Sequence, residues 1–105
     1  MKAESERLGH ELLLLMLNLS RMRDRAQVLR LFVEALASAR LGISVRSLAP
    51  GEVAAGEILE VATPEASFGR IVLEDPAGVL DDDHRALYRN ASRMLAVVLE
   101  NISRA

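Results

Sequence analysis

The chain of 105 residues has no cysteine and no tryptophan, and only three aromatic residues: Phe32, Phe68 and Tyr88. Without cysteine there is no disulfide framework and no thiolate metal site, which fits a reducing compartment. Scarce aromatics leave an aliphatic core and few rings for stacking on bases or sugars. Charge of one sign is also missing, since 13 basic residues stand against 15 acidic ones, a net of -2. That balance supplies neither a nucleic-acid footprint nor a polybasic membrane patch. Twelve of the basic residues are arginine, scattered along the chain. No long hydrophobic run is present; the longest, Leu12 to Leu17, falls far short of the ~20 residues that span a bilayer. The amino terminus, Met1 to Arg7, is mixed in charge and lacks the positive start of a signal peptide. These features lead to the expectation of a cytoplasmic protein with no membrane insertion and no nucleic-acid partner. The three Asn-x-Ser sequons, at Asn18, Asn90 and Asn101, all fall on expected helices and are read as chance.

What is present is helical at both ends. Leu8, Leu12, Leu15, Leu19 and Met22 recur at alternating spacings of four and three, a heptad seam within a first helix over about 4–22. Leu13, Leu14, Met16 and Leu17 are apolar too, so the run encircles the helix and leaves no face for water. A small domain covers one side of such a helix, and the other side calls for a partner. A second helix, about 25–41, opens at Asp24, which with Gln27 has the form of a capping box. Its apolar stripe is Val28, Leu31, Phe32, Ala35, Leu36 and Ala39, and Gly42 supplies a left-handed stop.

Beyond Gly42 the period becomes two. Strands are expected at about 43–49, 57–62 and 68–74, separated by Pro50-Gly51 and by the turn Thr63-Pro64-Glu65-Ala66-Ser67. Ile71, Val72 and Leu73 in a row give the last strand apolar side chains on both faces. A third helix, about 82–104, starts after Asp81, Asp82 and Asp83, where negative charge favours a helix N-terminus. Leu87, Ala91, Met94, Val98 and Ile102 form its first stripe; Tyr88, Leu95 and Leu99 form a second beside it. The order of periods describes one α/β (α+β) domain over 1–105. Three helices cover one face of a three-stranded antiparallel sheet. The unbroken last helix suggests a domain excised from a longer chain.

Catalytic chemistry finds no support. There is no Gly-x-Ser-x-Gly elbow, no glycine-rich phosphate loop, and no serine placed locally beside either histidine. Glu60 and Glu74 are the carboxylates expected on a sheet face, solvated by default. Asp81, Asp82, Asp83 and His84 are consecutive, so on a helix they diverge by 100° each and read as an N-cap cluster, not a metal site. His10-Glu11-Leu12 resembles the opening of the H-box of sensor histidine kinases, where a helical histidine carries phosphate. The box's arginine and proline are replaced here by leucines, and an exposed helical histidine accounts for His10 as well.

Two stretches carry a wider resemblance. Leu17-Asn18-Leu19-Ser20 with Asp24 to Leu29, and Leu36 up to Gly42, resembles the opening helices and first strand of GAF domains. Phe68 to Leu73, then Val79 to Asp83 and Leu87 through Asn101, is similar to their closing strand and final helix. The resemblance implies a non-catalytic sensory, regulatory and dimerisation module of bacterial signal transduction. Such a module sits beside a sensor kinase, cyclase or transcription activator and passes conformational change through its terminal helices. The family's longer middle, which lines ligand pockets, is reduced here to Leu48 to Gly56. No cofactor and no tightly bound small molecule are therefore expected. The family pattern would put the final strand in the centre of the sheet. A simple meander gives the shorter chain path. The expected partner is a second copy in a parallel homodimer, through Leu8, Leu12, Leu15, Leu19 and Met22 with Met94, Val98 and Ile102. The alternative is a histidine-phosphotransfer helical dimer using His10.

Overall fold

The computed structural model describes residues 2–38 and 42–104. Its elements run α1 (Lys2–Leu19), α2 (Arg25–Ser38), β1 (Ser44–Leu48), β2 (Glu57–Ala62), β3 (Ser67–Glu74) and α3 (Asp82–Arg104). Three helices and one antiparallel three-stranded sheet make an α+β fold. The first helix stops before Met22 because Ser20 turns its hydroxyl back to the Leu17 carbonyl at 2.7 Å. Asp24 caps α2, its Oδ1 accepting from the backbone N–H of Ala26 (3.0 Å) and Gln27 (3.4 Å). The expected last turn of the second helix, 39–41, lies outside the described residues. Gly42 follows it with φ of 91°.

The strand order is β1-β3-β2, with β3 antiparallel to both neighbours. The meander is thus replaced by a crossover, and the shortness of β1, five residues, explains why it closes. Glu57 pairs with Leu73, itself opposite Val45, whereas β1 ends at Leu48 opposite Arg70. The chain need only return three residues along β3, roughly 10 Å, and cross two strand spacings, roughly another 10 Å. Residues 49–56 reach ~26 Å when extended. They suffice.

The pairing register sorts the sheet into two faces. Val45, Leu59, Val61, Ile71 and Leu73 join the main core beneath the helices. Leu48 and Val72 are buried outside that cluster, on the face the helices do not cover. The 49–56 loop covers them. Glu52 fastens it: Oε1 accepts from Ala49 N–H (2.9 Å) and Oε2 from Arg46 (2.7 Å), while Arg70 donates to the Glu52 carbonyl (2.9 Å). The two-sided burial expected of Ile71-Val72-Leu73 is what the central position requires. An irregularity near Gly69 (φ 123°) lets Phe68 pack against the core, where strict alternation would send it to the other face.

The helices do not form a single layer on the sheet. Helix α2 packs on β1 and α3 on β2 and β3, whereas α1 packs on α3 with a smaller contact to α2. Phe32, Leu36, Tyr88, Leu95 and Leu99 fill the space between helices and sheet. Among the described residues, no helix is long and apolar enough to cross a membrane.

Candidate functional site

Helices α1 and α3 run parallel and side by side. Near their starts, Gly9 lies beside Leu87: a Cβ there would stand 3.7 Å from Leu87 Cδ2, an ordinary van der Waals contact. Near their ends, Ser20, Arg21, Met22 and Arg23 share an open groove of about 460 Å³ with Val98, Asn101 and Ile102. The pair is held by the heptad seam, turned inward. Leu8, Leu12 and Leu19, with Met16 beside them, are buried in the chain's own core, and Leu15, Met22, Val98 and Ile102 pack half-buried against it.

Of the eight interface residues expected from sequence, Met94 alone stands largely in solvent. Apart from Val53 on the 49–56 loop and Ile58 on β2, the exposed large apolar side chains lie elsewhere on the same pair. Leu13 (48%), Leu14 (47%) and Leu17 (53%) of α1 are half exposed, as are Met94 (43%) and Val97 (52%) of α3. Their spacings place each set on one helix face. The signal for it was the unbroken run Leu12 to Leu17. A seam at alternating four and three leaves 13, 14 and 17 for the opposite side. His10 and Arg21 continue that stripe at either end, both exposed.

The charged groups on the other side of α3 are paired inward. Arg85 donates to Glu57 (3.1 Å) and to Asp75 (3.3 Å), and Arg89 donates to Glu57 (2.9 Å). The Asp75 side chain is 2% exposed and also accepts from the backbone N–H of Val79 (2.8 Å) and Leu80 (2.9 Å). The Leu80 amide, more than the guanidinium, holds this carboxyl below its usual range. Sequence reading singled out Glu60 and Glu74 and missed Glu57. Its one trace was Arg85 and Arg89 four apart on one face of α3. Every carboxylate of this cluster faces a guanidinium or an amide, and the cluster ties α3 to β2 and to the end of β3.

At the start of α3, Asp81 accepts from the His84 backbone N–H (2.8 Å), and its Oδ1 lies 2.6 Å from His84 Nδ1. The amide first, and the imidazole second, lower the Asp81 pKa to about 2. His84 is buried, so the two residues form a cap and its buttress. No group of three or more metal-ligating side chains occurs among the described residues. A second open groove, about 580 Å³, lies between the β2–β3 turn (Thr63, Pro64, Glu65) and Arg93, Val97 and Glu100 of α3. Compared with family models, with curated proteins and with solved structures, the chain has no match.

Proposed function

We propose that the chain is a non-catalytic regulatory module of the GAF kind that works by self-association through the outer face of α1 and α3. The observation that carries this reading is the apolar face made by Leu13, Leu14, Leu17, Met94 and Val97. Burying the exposed half of a leucine is worth about 1 kcal/mol, so five such side chains on each copy are a driving force comparable to the cost of association. The GAF reading draws support from the central place of the last strand, between the first two, and from a final helix packed on that sheet. The module is placed in the cytoplasm next to a kinase, cyclase or transcription activator. Its output is carried by α3, whose outer face changes surroundings when a second copy docks.

Sedimentation velocity over 1–100 μM is the test. The unmutated protein should approach twice its 11.5 kDa mass, with an affinity in the micromolar range. Leu17→Glu removes two leucine contacts per dimer and buries two carboxylates in their place, weakening association at least ~100-fold. Because Leu17 is half exposed in the single copy, the variant keeps its fold. A protein that stays monomeric at 100 μM without mutation defeats the reading. The exposure of His10 on α1 favours one alternative, a phosphotransfer helix. Incubation with a phosphorylated receiver domain separates the two, since a His10→Gln-sensitive transfer of phosphate belongs to the alternative alone.

A further inference from the structure

The pairing face is polar in the electrical sense, and that polarity names the orientation of its partner. Because α1 and α3 run parallel, their starts share one end of the molecule and their ends share the other. The first end exposes Glu6, Glu11, Asp82 and Asp83 against Arg7. The second exposes Arg21, Arg23 and Arg25 against Asp24. Between them lies the leucine face.

Within α1 the spacing is symmetric about the midpoint of Leu13 and Leu14. Glu6 and Arg21 stand equally far from that midpoint on either side, as do His10 and Leu17. Glu6, His10, Leu13, Leu14 and Leu17 lie on or beside one face of the helix, at steps of three and four, and Arg21 follows in the turn that closes it. A two-fold axis through the midpoint sets Leu13 against the partner's Leu14, His10 beside the partner's Leu17, and Glu6 against the partner's Arg21. Each contact is then made twice, as an isologous interface requires. A parallel pair does the reverse: Glu6 meets the partner's Glu6 and Arg21 meets the partner's Arg21. Like charges facing across an interface oppose association.

From this geometry we infer that the occupant of the α1–α3 face is a second copy of this chain lying antiparallel, head to tail, along α1. The inference rests on the self-association proposed above and replaces the parallel arrangement expected from sequence. Its footprint is roughly the 23 Å of helix from Glu6 to Arg21 by the ~20 Å width of two helices, on the order of 450 Å² per copy. That sits at the low end for specific complexes, which fits reversible pairing. The carboxyl ends of the two α3 helices then leave the dimer at opposite ends. The pair joins two outputs at a distance, or holds them apart, and does not lay them side by side.

The absence of cysteine makes the test direct, since introduced thiols have no competitors. Glu6→Cys and Arg21→Cys are prepared separately, mixed as folded proteins, and oxidised mildly. The antiparallel pair yields a disulfide between Glu6→Cys of one copy and Arg21→Cys of the other, and almost none when either variant is oxidised alone. Self-crosslinking of Glu6→Cys as the main product, in a protein that sediments as a dimer, overturns the orientation and leaves the dimer standing. A monomeric parent protein removes the dimer itself. Charge reversal supplies the second readout at low salt. Glu6→Arg and Arg21→Glu should each weaken dimerisation about tenfold, and the double swap should restore it, with all differences shrinking in high salt. Single reversals that leave the affinity unchanged would instead indicate the parallel pair.

Discussion

Substituting Gly56 by alanine probes the crossover on which the sheet order depends. Gly56 lies where the 49–56 loop comes back to β2, with φ of 113°. A Cβ there would stand 2.7 Å from the Leu73 carbonyl oxygen, 3.1 Å from Val72 Cγ2 and 3.1 Å from Glu74 Cγ. The nearest of these atoms is the backbone of the central strand, paired with Val45 on one side and Glu57 on the other, and it cannot step aside. The backbone angle alone costs an alanine ~1–3 kcal/mol. Gly69 isolates that part, because its φ of 123° is similar and nothing lies within 4 Å of its missing Cβ. Gly51, at φ of 79° in open space, should cost least, about 1 kcal/mol. The expected order of loss is Gly51→Ala, then Gly69→Ala, then Gly56→Ala, the last exceeding the second by ~1–3 kcal/mol for the contact with β3. Urea unfolding with a common slope reads the difference directly. In thermal unfolding each kcal/mol is worth ~4–8 °C. If Gly56→Ala proves no more harmful than Gly69→Ala, the end of the loop does not lie against β3 as described.

Two further outcomes follow from the packing and the electrostatics. Phe32→Ala should cost ~3–5 kcal/mol in chemical denaturation, since Phe32 is fully buried between α2 and the sheet; a loss under 1 kcal/mol would place α2 elsewhere. Asp81, held at about 2, and Asp75 and Glu52, held low chiefly by the amides of Leu80 and Ala49, all have depressed folded-state values. Their contribution is therefore complete above the ordinary carboxylate range near 4 and is lost as pH falls towards 2. The urea midpoint should be level above pH ~5 and drop between 4 and 2. Asp81→Asn should flatten part of that drop, and an unchanged acid limb would deny the cap its role.

Periodicity carried much of the architecture because local burial writes itself into spacing. The bounds of β2 and α3 coincide with their patterns, and Ile71-Val72-Leu73 correctly announced a strand covered on both faces. Pairing partners are another matter. An alternation of two says that a strand has an inner face and does not say which strand lies beside it. Chain length arbitrated wrongly because β1 is only five residues long, so the return from Leu48 to Glu57 is short. Leu48 faces away from the helices, where alternation alone would leave it exposed, yet the loop buries it. The heptad seam was read correctly as a packing surface and assigned to the wrong neighbour. Nothing in a four-three spacing distinguishes a helix of the same chain from one of another copy. The Glu57–Arg85 contact joins residues 28 apart, beyond any local pattern.

The distribution of leucine in α1 is the feature on which the proposed self-association rests. One face of the sheet is covered by α2 and α3, and on the other the strap that Glu52 ties down shelters Leu48 and Val72 while Ile58 stays exposed. Helix α1 therefore adds nothing to the shelter of the sheet. It covers α3, and for that task Leu8, Leu12, Met16 and Leu19 are enough. Glutamine or lysine at 13, 14 and 17 would leave those contacts untouched and keep the helix as stable, since their helix propensities lie close to that of leucine. Half-exposed leucines at all three positions contribute little to the fold of a single copy and raise the cost of staying in solution. A surface that lowers solubility without stabilising the monomer is explained by what covers it. The same reasoning separates the two helices of the face. Helix α3 is committed on its inner side to the sheet through Arg85, Arg89, Tyr88 and Leu95. In the proposed dimer it would meet the second copy only along Met94 and Val97, its exposed apolar side chains. Helix α1 would supply the greater share of that contact, and its buried leucines join it to α3 more than to the sheet. On the proposed reading, docking of a second copy would act first on α1, and through the α1–α3 seam on α3.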